Sequence, residues 1–237
     1  MKILAIIPAR GGSKGVPNKN IKLLAEKPLI EYTSTVALKS ELINKVIVSS
    51  DNDEIISVAK NLGIEIPFKR PADLSEDNSP TLPVILHALD FFERKGEFFD
   101  AVCLLQITSP FRTVKFLDKA IQKFIDCKSD SLISVLEVPH EYNPHWSFEL
   151  DKNENLKIAT GETEIISRRQ DLPKTYHRDG SIYITKTNVL KEQKSLYGKS
   201  ISYIESSKKY YVNIDCLLLI YLNLQINHLL MIQKDMF

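Results

Sequence analysis

MKILAIIPARGGSKGVPNKN, residues 1–20, is the stretch that decides the fold. The apolar run over residues 3–7 ends at Pro8 and predicts a buried β-strand. After Pro8 the chain becomes a loop that mixes glycine with three cations. These cations are Arg10, Lys14 and Lys19. Glycines let backbone N–H groups approach an anion closely, and the cations neutralise it. The stretch therefore predicts a strand that opens onto a phosphate-binding loop, although alone it fits an exposed basic turn equally well.

The composition is that of an ordinary globular domain. Of the 237 residues, 43% are hydrophobic and 26% are charged, which are usual values for such a chain. The formal net charge of +1 argues against nucleic-acid binding through bulk electrostatics. No apolar stretch approaches the ~18–20 residues of a membrane span, and the first apolar run is too short for a signal peptide. The three cysteines have unrelated spacings, which fit thiols of a reducing cytosol. We expect one cytoplasmic α/β domain over residues 1–237, without nucleic-acid or membrane partners.

Strand-like and helix-like segments alternate through the first 138 residues. The predicted strands are 3–7, 45–50, 64–68, 100–107 and 131–138, and the predicted helices are 28–39, 53–62, 80–94 and 113–127. We expect Asp53 to cap the second helix and Gly63 to end it. The run DAVCLLQI at 100–107 is apolar on both faces, which is typical of a central parallel strand covered by helices. The alternation predicts an open, doubly wound, mostly parallel sheet.

Polar loops follow the predicted strands after residues 7, 50 and 107. Ligands of doubly wound sheets bind outside the carboxyl ends of the strands. We therefore expect these three loops to converge on one crevice.

The pattern changes between residues 139 and 173, where no segment has the apolar face of a long helix. The polar run over residues 151–155 predicts a hairpin tip, so this region is interpreted as an excursion from the sheet. Strands are predicted again at 180–185, 200–204 and 210–214, with helices at 186–193 and 215–231.

Two common phosphate loops are excluded by the spacing of the first loop. A Walker A loop needs Lys-Ser or Lys-Thr after its last glycine, but Lys14 is followed by Gly15. A dinucleotide fingerprint needs a glycine two positions before Gly12, where Arg10 stands. A loop with three cations instead fits the several negative charges of a triphosphate.

Four segments together resemble the acylneuraminate cytidylyltransferases, also called CMP-sialic acid synthetases. The segments are IPARGGSKGVPNKN (7–20), RPADLSED (70–77), LLQITSPFR (104–112) and RRQDLPKTYHRDGSIYI (168–184). The resemblance implies a nucleotide-diphospho-sugar transferase-like fold and a homodimer, in which residues 139–175 form a small dimerisation arm that helps to complete the partner's site. It also implies transfer of CMP from CTP to a nine-carbon 2-keto acid sugar, with release of pyrophosphate.

The resemblance also implies roles for individual residues. The expected CTP ligands are Arg10, Gly11, Gly12, Ser13, Lys14, Lys19, Asn20, Arg70 and Ser79. The expected sugar ligands are Gln106, Arg169, Asp179 and Tyr183. A two-pronged arginine suits the sugar carboxylate, and Arg168 is the alternative to Arg169 in that role. The family more often has asparagine where Asp179 stands, so an acid there would favour a sugar with an extra amine or amide donor.

The expected metal is Mg²⁺, and its site departs from the family pattern. The family ends its last strand with Asp-Ile-Asp, whereas this chain has Asn213-Ile214-Asp215. An amide oxygen can bind Mg²⁺, but Asn213 brings no negative charge, so Asp215 would be the single carboxylate ligand. We expect the anomeric hydroxyl of the sugar to attack the α-phosphorus of CTP, with Arg10, Lys19 and Asp215 as the catalytic residues.

Several interpretations of the function remain open at this stage. The sugar is an N-acylneuraminate or a close relative such as legionaminic or pseudaminic acid. A 3-deoxy-manno-octulosonate is less favoured, because enzymes for that sugar usually depart from the GGSKG loop. The alternative from another class is a nucleotide-binding homologue whose turnover is impaired by Asn213.

Overall fold

The computed structural model describes residues 1–12 and 16–214. The predicted helix at 215–231 and the predicted site residues Ser13, Lys14 and Asp215 lie outside this part of the chain. The strands are β1 (Ile3–Pro8), β2 (Leu23–Leu24), β3 (Lys27–Pro28), β4 (Lys45–Ser49), β5 (Ala101–Leu104), β6 (Ser131–Glu137), β7 (Phe148–Leu150), β8 (Leu156–Ile158), β9 (Tyr176–Lys186) and β10 (Ile201–Glu205). The α-helices are α1 (Leu29–Lys39), α2 (Asp53–Asn61), α3 (Thr81–Glu93), α4 (Val114–Asp126) and α5 (Thr187–Glu192).

Six of these strands form the main sheet, in the order β10-β6-β9-β5-β1-β4. The pairs β1–β4, β1–β5 and β6–β10 are parallel. Strand β9 runs antiparallel to both of its neighbours, β5 and β6. The predicted mostly parallel sheet is confirmed, with one reversed strand in its interior.

Helices cover both faces of the sheet because the apolar side chains of the strands alternate. In β1, Ile3, Ala5 and Ile7 pack in one buried cluster with residues of α1, α2 and α4. Leu4 and Ile6 point to the other face, into a cluster with residues of α3 and α5. This arrangement confirms the doubly wound architecture. No helix of the described residues is long and apolar enough to cross a bilayer.

Two predicted strands are wrong. The segment predicted at 64–68 makes a single parallel bridge, Ile47 with Glu65, because Pro67 has no N–H with which to continue the ladder. The segment predicted at 210–214 is not a strand either. Its first residue belongs to a 3₁₀ turn, Lys208–Tyr210. The backbone N–H of Ile214 donates to the carbonyl of Thr108 at 2.8 Å instead of to a neighbouring strand.

The predicted cap of α2 is also wrong by one residue. The side chain of Asn52, not Asp53, accepts hydrogen bonds from the backbone N–H groups of Glu54 and Ile55, at 3.0 and 3.1 Å. Asn52 has the extended backbone that a capping residue needs, whereas Asp53 is already the first helical residue. The carboxylate of Asp53 pairs instead with Lys69. Gly63 ends the helix with φ +77°, as predicted.

The region between β6 and β9 leaves the sheet, as the sequence predicts. It contains 3₁₀ turns at His140–Tyr142, Pro144–Trp146 and Arg169–Asp171, and the antiparallel hairpin of β7 and β8. Asp151 closes the hairpin tip, because its backbone N–H donates to the carbonyl of Asn155 at 2.8 Å. We call this region, residues 139–175, the arm.

Candidate active site

A crevice of ≈ 580 Å³ lies at the carboxyl ends of β1 and β5. Seven of the predicted site residues line it, on the loops that follow the strands. They are Arg10, Lys19, Asn20, Arg70, Ser79, Gln106 and Asn213. The loop after β4 contributes Asp51, whose carboxylate contacts Gly11 in the first loop and Arg70 in the crevice wall. The structure thus brings the loops after residues 7, 50 and 107 together at one edge of the sheet, as the sequence predicts.

Arg10 is held between the first loop and the segment that follows Arg70. Its Nη1 donates to the carbonyl of Glu76 at 2.8 Å and lies 3.0 Å from Oδ1 of Asp77. The buried side chain of Asn20 donates to the carbonyl of Arg10 at 2.8 Å, which fixes the backbone at this point. A predicted phosphate ligand is therefore already oriented at the crevice by protein acceptors.

Arg70 is a buried cation in the wall of the crevice. Its side chain is 4% exposed, and its Nη2 lies 3.6 Å from Oδ1 of Asp51. Burial lowers the pKa of the Arg70 guanidinium, and the charge of Asp51 opposes this shift. Nε and Nη2 of Arg70 have no hydrogen-bond acceptor within the described part of the chain. The carboxylate of Asp51 is therefore the charged group that holds this guanidinium in the wall.

Gly11 meets the loop after β4 at close range. Its backbone N–H donates to Oδ1 of Asp51 at 3.1 Å. A Cβ atom at Gly11 would lie 2.8 Å from Nδ2 of Asn52, so this contact requires glycine. Gly12 has open space around the corresponding position. Asp51 thus joins the first loop to Arg70, through one carboxylate oxygen.

Gln106 lies at the other end of the crevice, over Gly180 of β9. A Cβ atom at Gly180 would lie 2.9 Å from Oε1 of Gln106, and Gly180 has φ +81°. Both the contact and the left-handed backbone therefore favour glycine at this position.

The buried side chain of Arg112 supports the loop that carries Gln106. Its Nη2 donates to the carbonyls of Gln106 and Ser181, each at 2.8 Å. Its Nη1 donates to Oγ1 of Thr33 at 3.0 Å. Burial lowers the pKa of Arg112 to about 10, so the guanidinium stays charged at neutral pH. Arg112 is a positioning residue of the site.

Asp179 does not line the crevice. It lines a second cavity of ≈ 170 Å³, and its carboxylate is occupied by protein donors. Oδ1 accepts from Oγ of Ser134 at 2.5 Å and from the backbone N–H of Ser181 at 2.9 Å, and Oδ2 accepts from Oγ of Ser206. These bonds leave Asp179 poorly suited to receive a donor from a sugar.

Tyr183 does not line the crevice or the second cavity. Its ring packs in the buried cluster that contains residues of α3 and α5. The ring lies edge-on to that of Tyr197, with 6.4 Å between the ring centroids, and burial raises the pKa of Tyr183. The register of β9 against β6 shifts between Ile133 and Val135. In a regular strand, Asp179 and Tyr183 would point to the same face because they are four residues apart. The register shift breaks this regularity, so the two side chains do not share a site.

Arg169 lies at the base of the arm, in a third cavity of ≈ 370 Å³ that Lys208 also lines. Neighbouring Arg168 is bound to Asp171 through two hydrogen bonds, of 2.7 and 3.1 Å. Arg169 has no ion pair with the described residues. Of the two arginines, Arg169 is therefore the one available for an external carboxylate.

Sequence reasoning missed four residues that position the site. They are Asp51, Glu76, Asp77 and Arg112. Asp51 could have been found, because it directly follows a strand whose loop was expected at the crevice. The contacts of Arg112 join segments that are far apart in the chain, which no local pattern shows.

Comparison with known proteins is consistent with this geometry. The family model described as cytidylyltransferase matches residues 4–227, and the chain belongs to the cytidylyltransferase family. It is 40% identical over 183 residues to the pseudaminic acid cytidylyltransferase of Campylobacter jejuni, covering 77% of this chain and 78% of that protein. It is 37% identical over 201 residues to the CMP-N,N'-diacetyllegionaminic acid synthase of Legionella pneumophila, covering 84% of each chain.

The solved structure of a CMP:2-keto-3-deoxy-manno-octonic acid synthetase complexed with CTP has a similar fold. Its TM-score is 0.72 at 16% identity, over 99% of this chain and 100% of that chain. At this identity the likeness supports the fold and not the substrate. The predicted nucleotide-diphospho-sugar transferase-like architecture and the predicted enzyme class are confirmed.

We expect Asp51→Ala to lower the free energy of unfolding by about 2 kcal/mol, because it leaves the buried Arg70 guanidinium without its carboxylate and Gly11 without its acceptor. Asp51→Asn keeps an acceptor for the Gly11 N–H and is expected to cost about half as much. Urea denaturation followed by circular dichroism measures both. A change below about 0.5 kcal/mol in Asp51→Ala would contradict the linking role.

Proposed function

We propose that this chain transfers CMP from CTP to the anomeric hydroxyl of a nonulosonic acid and releases pyrophosphate. The observation that carries the proposal is the crevice in which Arg10, Lys19, Arg70 and Gln106 meet. The names of two relatives, a pseudaminic acid cytidylyltransferase and a CMP-N,N'-diacetyllegionaminic acid synthase, support the choice of acceptor. The proposal places the reaction in the cytoplasm, where CTP is available.

The triphosphate of CTP would lie along the first loop. Its ligands would be Arg10, Gly11, Gly12, Ser13, Lys14 and Lys19, with Asn20 beside the nucleotide. Arg70 and Ser79 would lie on the ribose and base side. Both residues line the crevice, which supports this placement. The hydroxyl of Ser79 donates to the carbonyl of Asp73 at 2.9 Å and so stabilises this wall.

The chemical step is an in-line displacement at the α-phosphorus. The anomeric oxygen forms the new P–O bond and gives its proton to water, while the bond between the α-phosphorus and the bridging oxygen breaks. Pyrophosphate leaves with that electron pair. Arg10 and Lys19 would stabilise the charge that develops on the transferring and leaving phosphates, because fixed cations at a partly enclosed site cost little reorganisation.

The residues at the end of the described chain fit a hard divalent cation. Asn213 lines the crevice, and Asp215 follows two positions later in the sequence. An amide oxygen, a carboxylate and phosphate oxygens are the donors that Mg²⁺ prefers. We therefore propose Asn213 and Asp215 as its protein ligands. When bound, Mg²⁺ supplies charge neutralisation at the phosphates and a lower pKa for the attacking hydroxyl.

The sugar would lie near Gln106, with its carboxylate bound by an arginine. Arg169 pairs with no carboxylate of the described residues, but in this chain it lies at the arm and not at Gln106. We propose that Arg169 reaches the Gln106 end of the crevice of the partner subunit in a homodimer. N-acylated nonulosonic acids are the proposed substrate class, and N-acylneuraminate, legionaminic and pseudaminic acid are its candidate members.

The primary test incubates the protein with CTP, Mg²⁺ and a panel of these acids, and follows pyrophosphate release. Lys19→Ala is expected to slow turnover by about two orders of magnitude or more, because it removes charge stabilisation in the transition state. Lys60→Ala, at an exposed position of α2, is the matched control and should be unchanged. Near-normal release by Lys19→Ala would exclude the role of that lysine.

The alternative function, nucleotide binding with impaired turnover, depends on Asn213. Restoring a carboxylate with Asn213→Asp is expected to lower the Mg²⁺ concentration for half-maximal pyrophosphate release by about tenfold, because the site gains a negative ligand. Asn213→Gln, which restores no charge, serves as the control. If the wild type binds CTP but releases no pyrophosphate with any acid, while Asn213→Asp does, the binding protein is the correct interpretation.

The proposed homodimer would use the hairpin of the arm. Cross-strand pairing places Phe148, Leu150, Leu156 and Ile158 on one face. Leu150 and Leu156 are 68% and 66% exposed. The opposite face carries Glu149 and Lys157, which pair at 3.6 Å. An exposed apolar face on a small two-stranded hairpin indicates a partner surface.

We expect the double variant Leu150→Glu with Leu156→Glu to halve the molar mass measured by light scattering, because two charges would be buried at the interface. Glu149→Gln with Lys157→Gln changes the opposite face and should leave the dimer intact. A wild-type mass of one chain at micromolar concentration would overturn the dimer proposal.

A further inference from the structure

Two acidic residues line a crevice whose proposed ligand is a polyanion. Glu76 and Asp77 belong to the same lining as Arg10, Lys19 and Arg70. A carboxylate near bound phosphates opposes them by charge repulsion, so its presence there calls for a physical explanation. Oδ1 of Asp77 lies 3.0 Å from Nη1 of Arg10. The carboxylate of Asp77 thus occupies a donor group that is also the proposed ligand of the phosphates.

Nη1 of Arg10 contacts this acidic segment twice. It donates to the carbonyl of Glu76 at 2.8 Å, and it pairs with Oδ1 of Asp77. A terminal nitrogen of a guanidinium carries two N–H groups, so each acceptor can take one of them. If a phosphate oxygen takes the place of Asp77, the bond to the carbonyl can persist. Arg10 is therefore held at the crevice whether or not Asp77 is its partner.

The turn that carries Asp77 is fixed by hydrogen bonds of its own. The backbone N–H of Ser79 donates to the carbonyl of Glu76 at 3.1 Å, and the hydroxyl of Ser79 donates to the carbonyl of Asp73 at 2.9 Å. The side chain of Asp77 takes part in neither bond and is exposed, so it can rotate into water while the turn stays closed. Since an exposed ion pair contributes little free energy, the departure of Asp77 from Arg10 costs little.

We propose that Asp77 competes with the polyphosphate for Arg10 and thereby weakens the retention of pyrophosphate after CMP transfer. The inference rests on the proposed function and adds to it a positioning residue, which acts through Arg10. Before the nucleotide binds, the carboxylate holds the guanidinium at the crevice, and the polyphosphate then displaces it. As pyrophosphate leaves, Asp77 pairs with Arg10 again. The competition weakens the binding of both CTP and pyrophosphate, whereas CMP, which lacks the β- and γ-phosphates, is affected less.

Asp77→Asn tests the competition, because it removes the charge that pairs with Arg10. Calorimetric titration with inorganic pyrophosphate, at a fixed Mg²⁺ concentration, should give a Kd about two- to fivefold lower than that of the wild type, as expected for the loss of one exposed ion pair. The inhibition constant of pyrophosphate against CTP should fall by a similar factor, and the Kd for CMP should change less. Damage to a merely structural contact would weaken binding and not strengthen it.

Two further variants separate competition for Arg10 from general charge repulsion. Glu76→Gln is the matched control, because it removes the same charge from the adjacent residue and keeps the carbonyl that Arg10 binds. Its gain in pyrophosphate affinity should be less than half of the gain in Asp77→Asn. In an Arg10→Gln background, Asp77→Asn should also gain less than half as much, because the contested cation is absent. Equal gains in either comparison would overturn the inference.

These binding measurements need no turnover, so they separate failure of this inference from failure of the proposed function. The expected gain in Asp77→Asn supports the competition even if no acid is turned over. Unchanged or weaker pyrophosphate binding in Asp77→Asn overturns it even if the wild type converts CTP normally. If the wild type binds neither CTP nor pyrophosphate, the proposed function fails at its first step and this inference fails with it.

Discussion

The buried guanidinium of Arg112 connects the parts of the structure on which the site depends. It donates to the loop after β5 through Gln106, to β9 through Ser181, and to α1 through Thr33. A charged group this deeply buried is stable only when its donors are satisfied. The protein acceptors therefore hold three distant segments in one arrangement, and the Gln106 end of the crevice takes its shape from them.

Carboxylates hold the two arginines of the crevice, Arg10 and Arg70, in a different way. The side chains of Arg10 and Asp77 form an ion pair and are 31% and 39% exposed. Such an exposed ion pair contributes little stability. Arg70 and Asp51 are more buried, and their contact is structural. Arg10 is thus held by a weak, exposed ion pair, whereas Arg70 is fixed as part of the crevice wall.

The sequence predicted the architecture well, because helix and strand periodicities in a doubly wound sheet are set locally by the alternation of apolar residues. It failed where one residue overrides a pattern, as Pro67 does in the segment at 64–68. It also failed at the start of α2, where Asn52 and Asp53 are adjacent and both are residue types that cap helices. The crevice residues on the loops after β1 and β5 were predictable from topology. The separation of Tyr183 from Asp179 was not, since it arises from a register shift between β6 and β9.

The reversed direction of β9 explains why the arm and the crevice lie at the same edge of the sheet. Tyr176, the first residue of β9, pairs with Glu137, the last residue of β6. The arm therefore leaves the sheet and returns to it at the carboxyl edge, where the loops after β1 and β5 also end. A parallel β9 would place the end of the arm at the opposite edge, far from Gln106. The antiparallel strand thus brings both ends of the arm to the edge of the sheet where the crevice lies.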